Sequence, residues 1–149
     1  MMSKRVLATG VFDILHYGHY KFLEEAKKAG GKNAKLYVIV ARDSTVKKLK
    51  GKPPVIPENM RRALIEGLKP VDVALLGSDP LDYDMVLEKI RPDIIAVGHD
   101  QTDVEKAVRE LISAKGLSIK VVRMPKFEFS VNSSSDIKKK VIDLWKEAP

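Results

Sequence analysis

Apolar runs and amphipathic stretches alternate along the whole chain. Residues 5–9 read as a first strand. A helix over Tyr17–Ala29 follows, with Phe22, Leu23 and Ala26 on one face, and Gly30–Gly31 ends it. Residues 36–41 (L-Y-V-I-V-A) form an unbroken apolar run, as expected of a strand buried on both faces of a parallel sheet. Asp43 or Ser44 can cap a short helix. The K-G-K-P-P-V-I-P stretch must then be loop, because its prolines fix φ and remove backbone donors. The same reading predicts helices over 58–68, 83–90, 104–115 and 133–146, and strands over 71–76, 93–97 and 118–123.

Strands alternating with helices imply right-handed crossovers and a parallel sheet covered on both faces. The expected fold is a single Rossmann-like α/β domain over residues 1–149, with a five-stranded parallel sheet. In such folds ligands bind beyond the C-terminal strand ends, where the strand order reverses. Residues 10–19, 42–52 and 98–101 each directly follow a strand, and Ser133–Ser135 come soon after the fifth.

Composition narrows the chemistry. The length suits one domain. Without cysteine there is no disulfide framework, thiol nucleophile or thiolate metal site. No apolar run has the length of a membrane span, and the chain start leads directly into a strand, so the expected address is cytoplasmic, with no membrane partner. The net charge of +7 is interspersed with acidic residues and concentrates at Lys47–Lys52 and Lys138–Lys140. That distribution suits a polyphosphate pocket, and no nucleic-acid partner is expected.

The most telling stretch is residues 8–19, A-T-G-V-F-D-I-L-H-Y-G-H. A strand turning at Gly10 into a helix start offers backbone N–H groups and the positive dipole end to a phosphate. His16 and His19 add side-chain donors, and Gly18 between them permits close approach. Asp13 is read as orienting the turn by accepting backbone donors. As a metal site the pair lacks partners: the remaining histidine, His99, is distant in sequence, so no protein metal ligands are expected. Nucleotidyl transfer needs alignment and charge stabilisation, not a covalent nucleophile, because an acceptor phosphate is already anionic.

The F-D-x-x-H-x-G-H pattern resembles that of the cytidylyltransferase-like nucleotidyltransferases. The H-x-G-H form, with V-I-V-A-R-D-S-T-V-K-K-L-K-G-K-P-P-V-I-P-E-N and K-I-R-P-D-I-I-A-V-G-H-D-Q, looks like the archaeal FAD synthase branch of that family. The resemblance implies AMP transfer from ATP to FMN, with Mg²⁺ or another divalent cation held mainly by phosphate oxygens and water. It implies that His16 and His19 stabilise the transferring phosphoryl group, and that Lys50 and Lys52, with Lys47 third, neutralise the triphosphate. It assigns Val11, Phe12, Tyr17, Gly18, Arg61, Asp100, Phe127, Ser133 and Ser134 to nucleotide binding. Asp100 could instead cap the following helix, and the serines can cap the last helix as well as bind phosphate. Relatives often pair through a helix face, so a homodimer is compatible. The rival readings are a CTP-dependent cytidylyltransferase acting on glycerol 3-phosphate or a similar alcohol phosphate, a non-catalytic nucleotide sensor, and a basic RNA-binding protein.

Overall fold

The computed structural model describes residues 3–147. Strands β1 (Arg5–Gly10), β2 (Lys35–Val40), β3 (Val73–Leu76), β4 (Ile94–Val97) and β5 (Lys120–Arg123) alternate with helices. These are α1 (Tyr17–Ala29), α2 (Asp43–Lys50), α3 (Glu58–Glu66), α4 (Tyr83–Ile90), α5 (Thr102–Lys115) and α6 (Ser134–Glu147). The sheet is wholly parallel in the order β3-β2-β1-β4-β5. This is the expected architecture, a five-stranded Rossmann-like α/β fold.

The period of two along each strand sorts side chains onto two faces. Val6, Ala8, Leu36, Val38, Ile94 and Ala96 point to one core, which Leu23 and Ala26 of α1 and Ile65 of α3 complete. Leu7, Ile39, Ile95 and Val97 point to the other, covered by Val86, Leu87 and Ile90 of α4 and Val108 of α5. Helices therefore cover both faces, and the central strands are buried on both, as their unbroken apolar runs require.

Several elements are shorter than the apolar pattern suggested. β3 starts at Val73 because Val71 N–H turns back to Leu68 C=O and the Asp72 carboxylate receives Leu36 N–H at 2.8 Å. β4 starts at Ile94 because the Asp93 carboxylate caps the edge of β1 at Arg5 N–H, 2.8 Å away. α3 stops at Glu66, where Gly67 N–H closes on the Ala63 and Leu64 carbonyls. α5 begins at Thr102, two residues early, because the Gln101 carbonyl already accepts Glu105 N–H at 3.0 Å.

Chain order reverses at β1: β2 lies on one side and β4 on the other. β1 pairs with β2 as far as Gly10, but its register with β4 ends at Ala8↔Ala96. A crevice opens where the two ladders part. Gln101 bridges it, accepting Gly98 N–H at 2.7 Å and donating to Thr9 C=O at 2.9 Å. α6 stands apart, with no residue fully buried, and leans over this crevice.

Leu36 of β2 is fully buried in the core that Leu23, Ala26 and Ile65 complete. Leu36→Ala should lower unfolding free energy by about 2–5 kcal/mol, measured by urea denaturation. A loss much below that range would mean this core layer collapses around the gap.

Candidate active site

The chain leaves β1 through a turn that few sequences tolerate. Phe12 (φ 54°) and Ile14 (φ 42°) both lie in the left-handed region, an unfavourable place for a β-branched residue. Asp13 between them is 6% exposed and holds the turn. Its carboxylate accepts Ile14 N–H at 3.1 Å, and Val55 and Ile56 N–H at 2.8 and 2.9 Å from the proline-rich loop. Lys138 Nζ of α6 lies 3.7 Å away. Burial opposes the Asp13 charge, but the Val55 and Ile56 N–H groups, Lys138 and Ile14 N–H outweigh it, so its pKa falls below the ordinary 3.8.

Two glycines make room for rings. A Cβ on Gly10 would lie 2.8 Å from the Phe12 ring, and one on Gly18 2.8 Å from the His16 imidazole. Gly18 therefore makes space for His16 itself, in addition to any ligand. The two imidazoles stack with centroids 3.8 Å apart, and Phe12 meets His19 edge-on at 5.4 Å. His19 Nδ1 accepts His16 N–H at 3.3 Å, which puts the proton of the neutral His19 ring on Nε2. His16 Nδ1 is buried without a protein partner.

Both imidazoles are uncharged at neutral pH. Burial lowers the His16 pKa, against the opposing pull of Asp136. Burial, then the charge of His16, pushes His19 down to about 3; Lys50 adds to this and Asp13 opposes it. The pair acts as neutral hydrogen-bond donors set among cations.

One cleft of about 740 Å³ gathers most of the residues singled out in the sequence. Val11, Phe12, His16, Gly18, His19, Lys50, Lys52, Asp100, Phe127, Ser133 and Ser134 all line it. Two expected nucleotide contacts do not. Tyr17 is 57% exposed and packs on Phe129 (4.8 Å) and Tyr20, outside the lining. Arg61 is 1% exposed, with its donors taken by protein: Nε by Ile56 C=O (2.8 Å), Nη1 by Val11 C=O (2.7 Å) and Nη2 by Asp43 (2.6 Å). Arg61 braces the cleft from beneath, and reaching a nucleotide would break three bonds. Lys47 is exposed and also outside the lining.

The serines are partly committed. Ser133 Oγ accepts Asp136 N–H at 3.0 Å and caps α6, while Ser134 Oγ donates to the Asp13 carbonyl. That bond fastens α6 to the first turn. Lys138, four residues on and on the same helix face, therefore enters the cleft with Lys139. Sequence reading noted these lysines as a charge cluster without placing them; the i+4 spacing from Ser134 was the available signal. His99, Gln101, Phe22, Met124 and Ile142 also line the cleft and were not assigned. Among the described residues, no three His, Asp or Glu side chains converge as a metal cage.

A cationic crevice at the strand-order switch, floored by stacked histidines after β1, defines a Rossmann-like nucleotidyltransferase. Residues 7–140 match the cytidylyltransferase-like family model, and the chain belongs to that family. It is 48% identical over 146 residues to the FAD synthase of Methanopyrus kandleri, covering 97% of this chain and 96% of that one. It is 46% identical over 140 residues to the FAD synthase of Thermoplasma volcanium, covering 94% and 95%. A solved structure from Thermoplasma volcanium, described as a lipopolysaccharide core biosynthesis protein, superposes with a TM-score of 0.75 at 46% identity. That match covers 84% of this chain and 98% of the other.

Two predictions follow from the geometry. Arg61→Met orphans two carbonyls and the Asp43 carboxylate, and should cost about 2–4 kcal/mol in urea unfolding; unchanged stability with weakened ATP binding would contradict the bracing role. Below pH 6.5 the unfolded chain takes up the His19 proton before the folded chain does, so stability should fall as pH drops from 6.5 toward 5. His19→Gln should flatten that slope, and an equal slope in the variant would contradict the buried, neutral assignment.

Proposed function

We propose that this chain transfers AMP from ATP to the phosphate of FMN, giving FAD and pyrophosphate. The observation that carries nucleotidyl transfer is the stacked, uncharged His16–His19 pair facing the same cleft as Lys50, Lys52, Lys138 and Lys139. The likeness over nearly the whole chain to FAD synthases favours FMN over the alcohol phosphate of a CTP-dependent enzyme.

An FMN phosphate oxygen attacks the α-phosphorus of ATP, the bond from that phosphorus to the bridging oxygen breaks, and pyrophosphate leaves. The attacking oxygen is already anionic, so no general base is required. Negative charge spreads over the α-phosphoryl oxygens and onto the leaving group. His19 Nε2–H and the His16 ring donate to the transferring group, and because they are neutral they add no proton to be lost. Lys50 and Lys52 from one wall, and Lys138 and Lys139 from α6, neutralise the polyphosphate. The first N–H groups of α6 complete the anion cradle. Val11, Phe12, Asp100 and Phe127 face the nucleoside.

A divalent cation would supply further charge neutralisation on the phosphate oxygens. Such ions take oxygen ligands. Two carboxylates line the cleft: Asp13 already accepts three backbone N–H groups, and Asp100 is exposed. The residues therefore fit a cation carried largely by phosphate and water, with Asp100 the protein oxygen donor available to it. Among the described residues, no helix is long and apolar enough to cross a membrane.

Purified protein given ATP, Mg²⁺ and FMN should form FAD, read by chromatography and flavin fluorescence; CDP-alcohol formation from CTP without FAD would overturn the reading. His16→Ala should lower turnover by roughly 10²–10³ through loss of a transition-state donor, with the far-UV spectrum unchanged. Near-normal turnover would remove His16 from the chemistry.

A further inference from the structure

Lys52 lies in an exposed loop, yet the segment behind it is stiff and anchored. Gly51 (φ 78°) at the end of α2 is a permissive joint, so α2 alone does not aim Lys52. On its other side come Pro53 and Pro54, whose rings fix φ, and each restricts the residue before it to extended backbone. Pro53 and Pro54 thus form a short, stiff strut between bends at Lys52 and Val55. Its far end is held from both sides. Asp13 accepts Val55 and Ile56 N–H, and Arg61 Nε donates to Ile56 C=O. Arg61 also holds Val11 C=O, so the strut is tied to the histidine turn through a second bond path.

We infer that Asp13 is a positioning residue for Lys52: it anchors the Pro53–Pro54 strut so that the lysine stands over the polyphosphate site, and it does not ligate the metal ion. This rests on the reading of the cleft as an ATP site. Both Asp13 oxygens are committed to backbone donors at 2.8–3.1 Å, and the side chain is 6% exposed, which leaves a cation little to coordinate. Asn at this position keeps the size but turns an acceptor oxygen into a donor. At whichever site the NH₂ group falls, it faces a backbone N–H, so the anchor is weakened while the packing is retained.

The test is a double-mutant cycle on ATP affinity, measured by titration calorimetry with Mg²⁺. Lys52→Met should weaken ATP binding roughly tenfold, the size of one charge-assisted hydrogen bond. Asp13→Asn and the paired Pro53→Gly/Pro54→Gly variant should each weaken it several-fold, the glycine pair with FMN affinity unchanged. Combined with Lys52→Met, either should bring the loss to within about twofold of Lys52→Met alone, because a misaimed lysine cannot be lost twice. Losses that multiply would overturn the inference. So would a higher Mg²⁺ requirement in Asp13→Asn, which would make the carboxylate a ligand. Should Asp13→Asn fail to fold, the glycine pair carries the same cycle on a surface loop. A wild-type protein that binds ATP and shows this coupling but makes no FAD would reject the proposed reaction and leave the positioning role standing.

Discussion

Three backbone N–H groups from two separate loops converge on the Asp13 carboxylate, and the cleft takes its shape from that convergence. The turn after β1 contains two left-handed residues that would not persist without such bonds. The same carboxylate draws in the proline-rich loop, and the Asp13 carbonyl receives Ser134 Oγ from α6. Arg61 works in the opposite sense, donating to carbonyls of both loops and to Asp43. A buried anion collects N–H groups and a buried cation collects C=O groups, so the floor of the cleft is braced from both polarities.

That bracing explains how cations can crowd one site in the free protein. Lys50, Lys52, Lys138 and Lys139 share the cleft with two histidines. Were the imidazoles charged as well, repulsion would open it. Burial keeps them neutral, helped at His19 by the neighbouring His16, so they contribute directed donors with no added charge. A polyphosphate entering the cleft would meet ammonium groups on its walls and fixed N–H donors on its floor. The former suit electrostatic capture, and the latter suit a transition state whose charge develops at defined oxygens.

The scaffold was readable because apolar period and strand burial are the same physics. α1 and α4 have the boundaries that face patterning and flanking breakers predicted. Strand starts were read too long where Asp72 and Asp93 cap neighbouring strands, a tertiary contact that no local window contains. The histidines and the lysine loop were legible because their chemistry is tied to a strand end. Arg61 lies beneath the cleft and outside its lining, a placement not legible for the opposite reason. A basic residue on a helix near the site looks the same in sequence whether it faces ligand or core, and only Val11, Ile56 and Asp43 around it decide. Tyr17 follows His16 directly, but its position on α1 turns it outward onto Phe129. Lys138 was hidden in a run of three lysines, because the bond from Ser134 to Asp13 that docks α6 and turns Lys138 toward the cleft is a tertiary contact.

The central claim is that an uncharged, stacked imidazole pair at the end of β1 faces the ATP polyphosphate. Nitrogen-15 NMR of the imidazole rings tests it most directly. The account predicts that His19 stays neutral with its proton on Nε2 down to at least pH 5, and that ATP shifts both His16 and His19 signals strongly. A His19 ring that titrates near its ordinary 6.5, or a pair of rings indifferent to ATP, would contradict it.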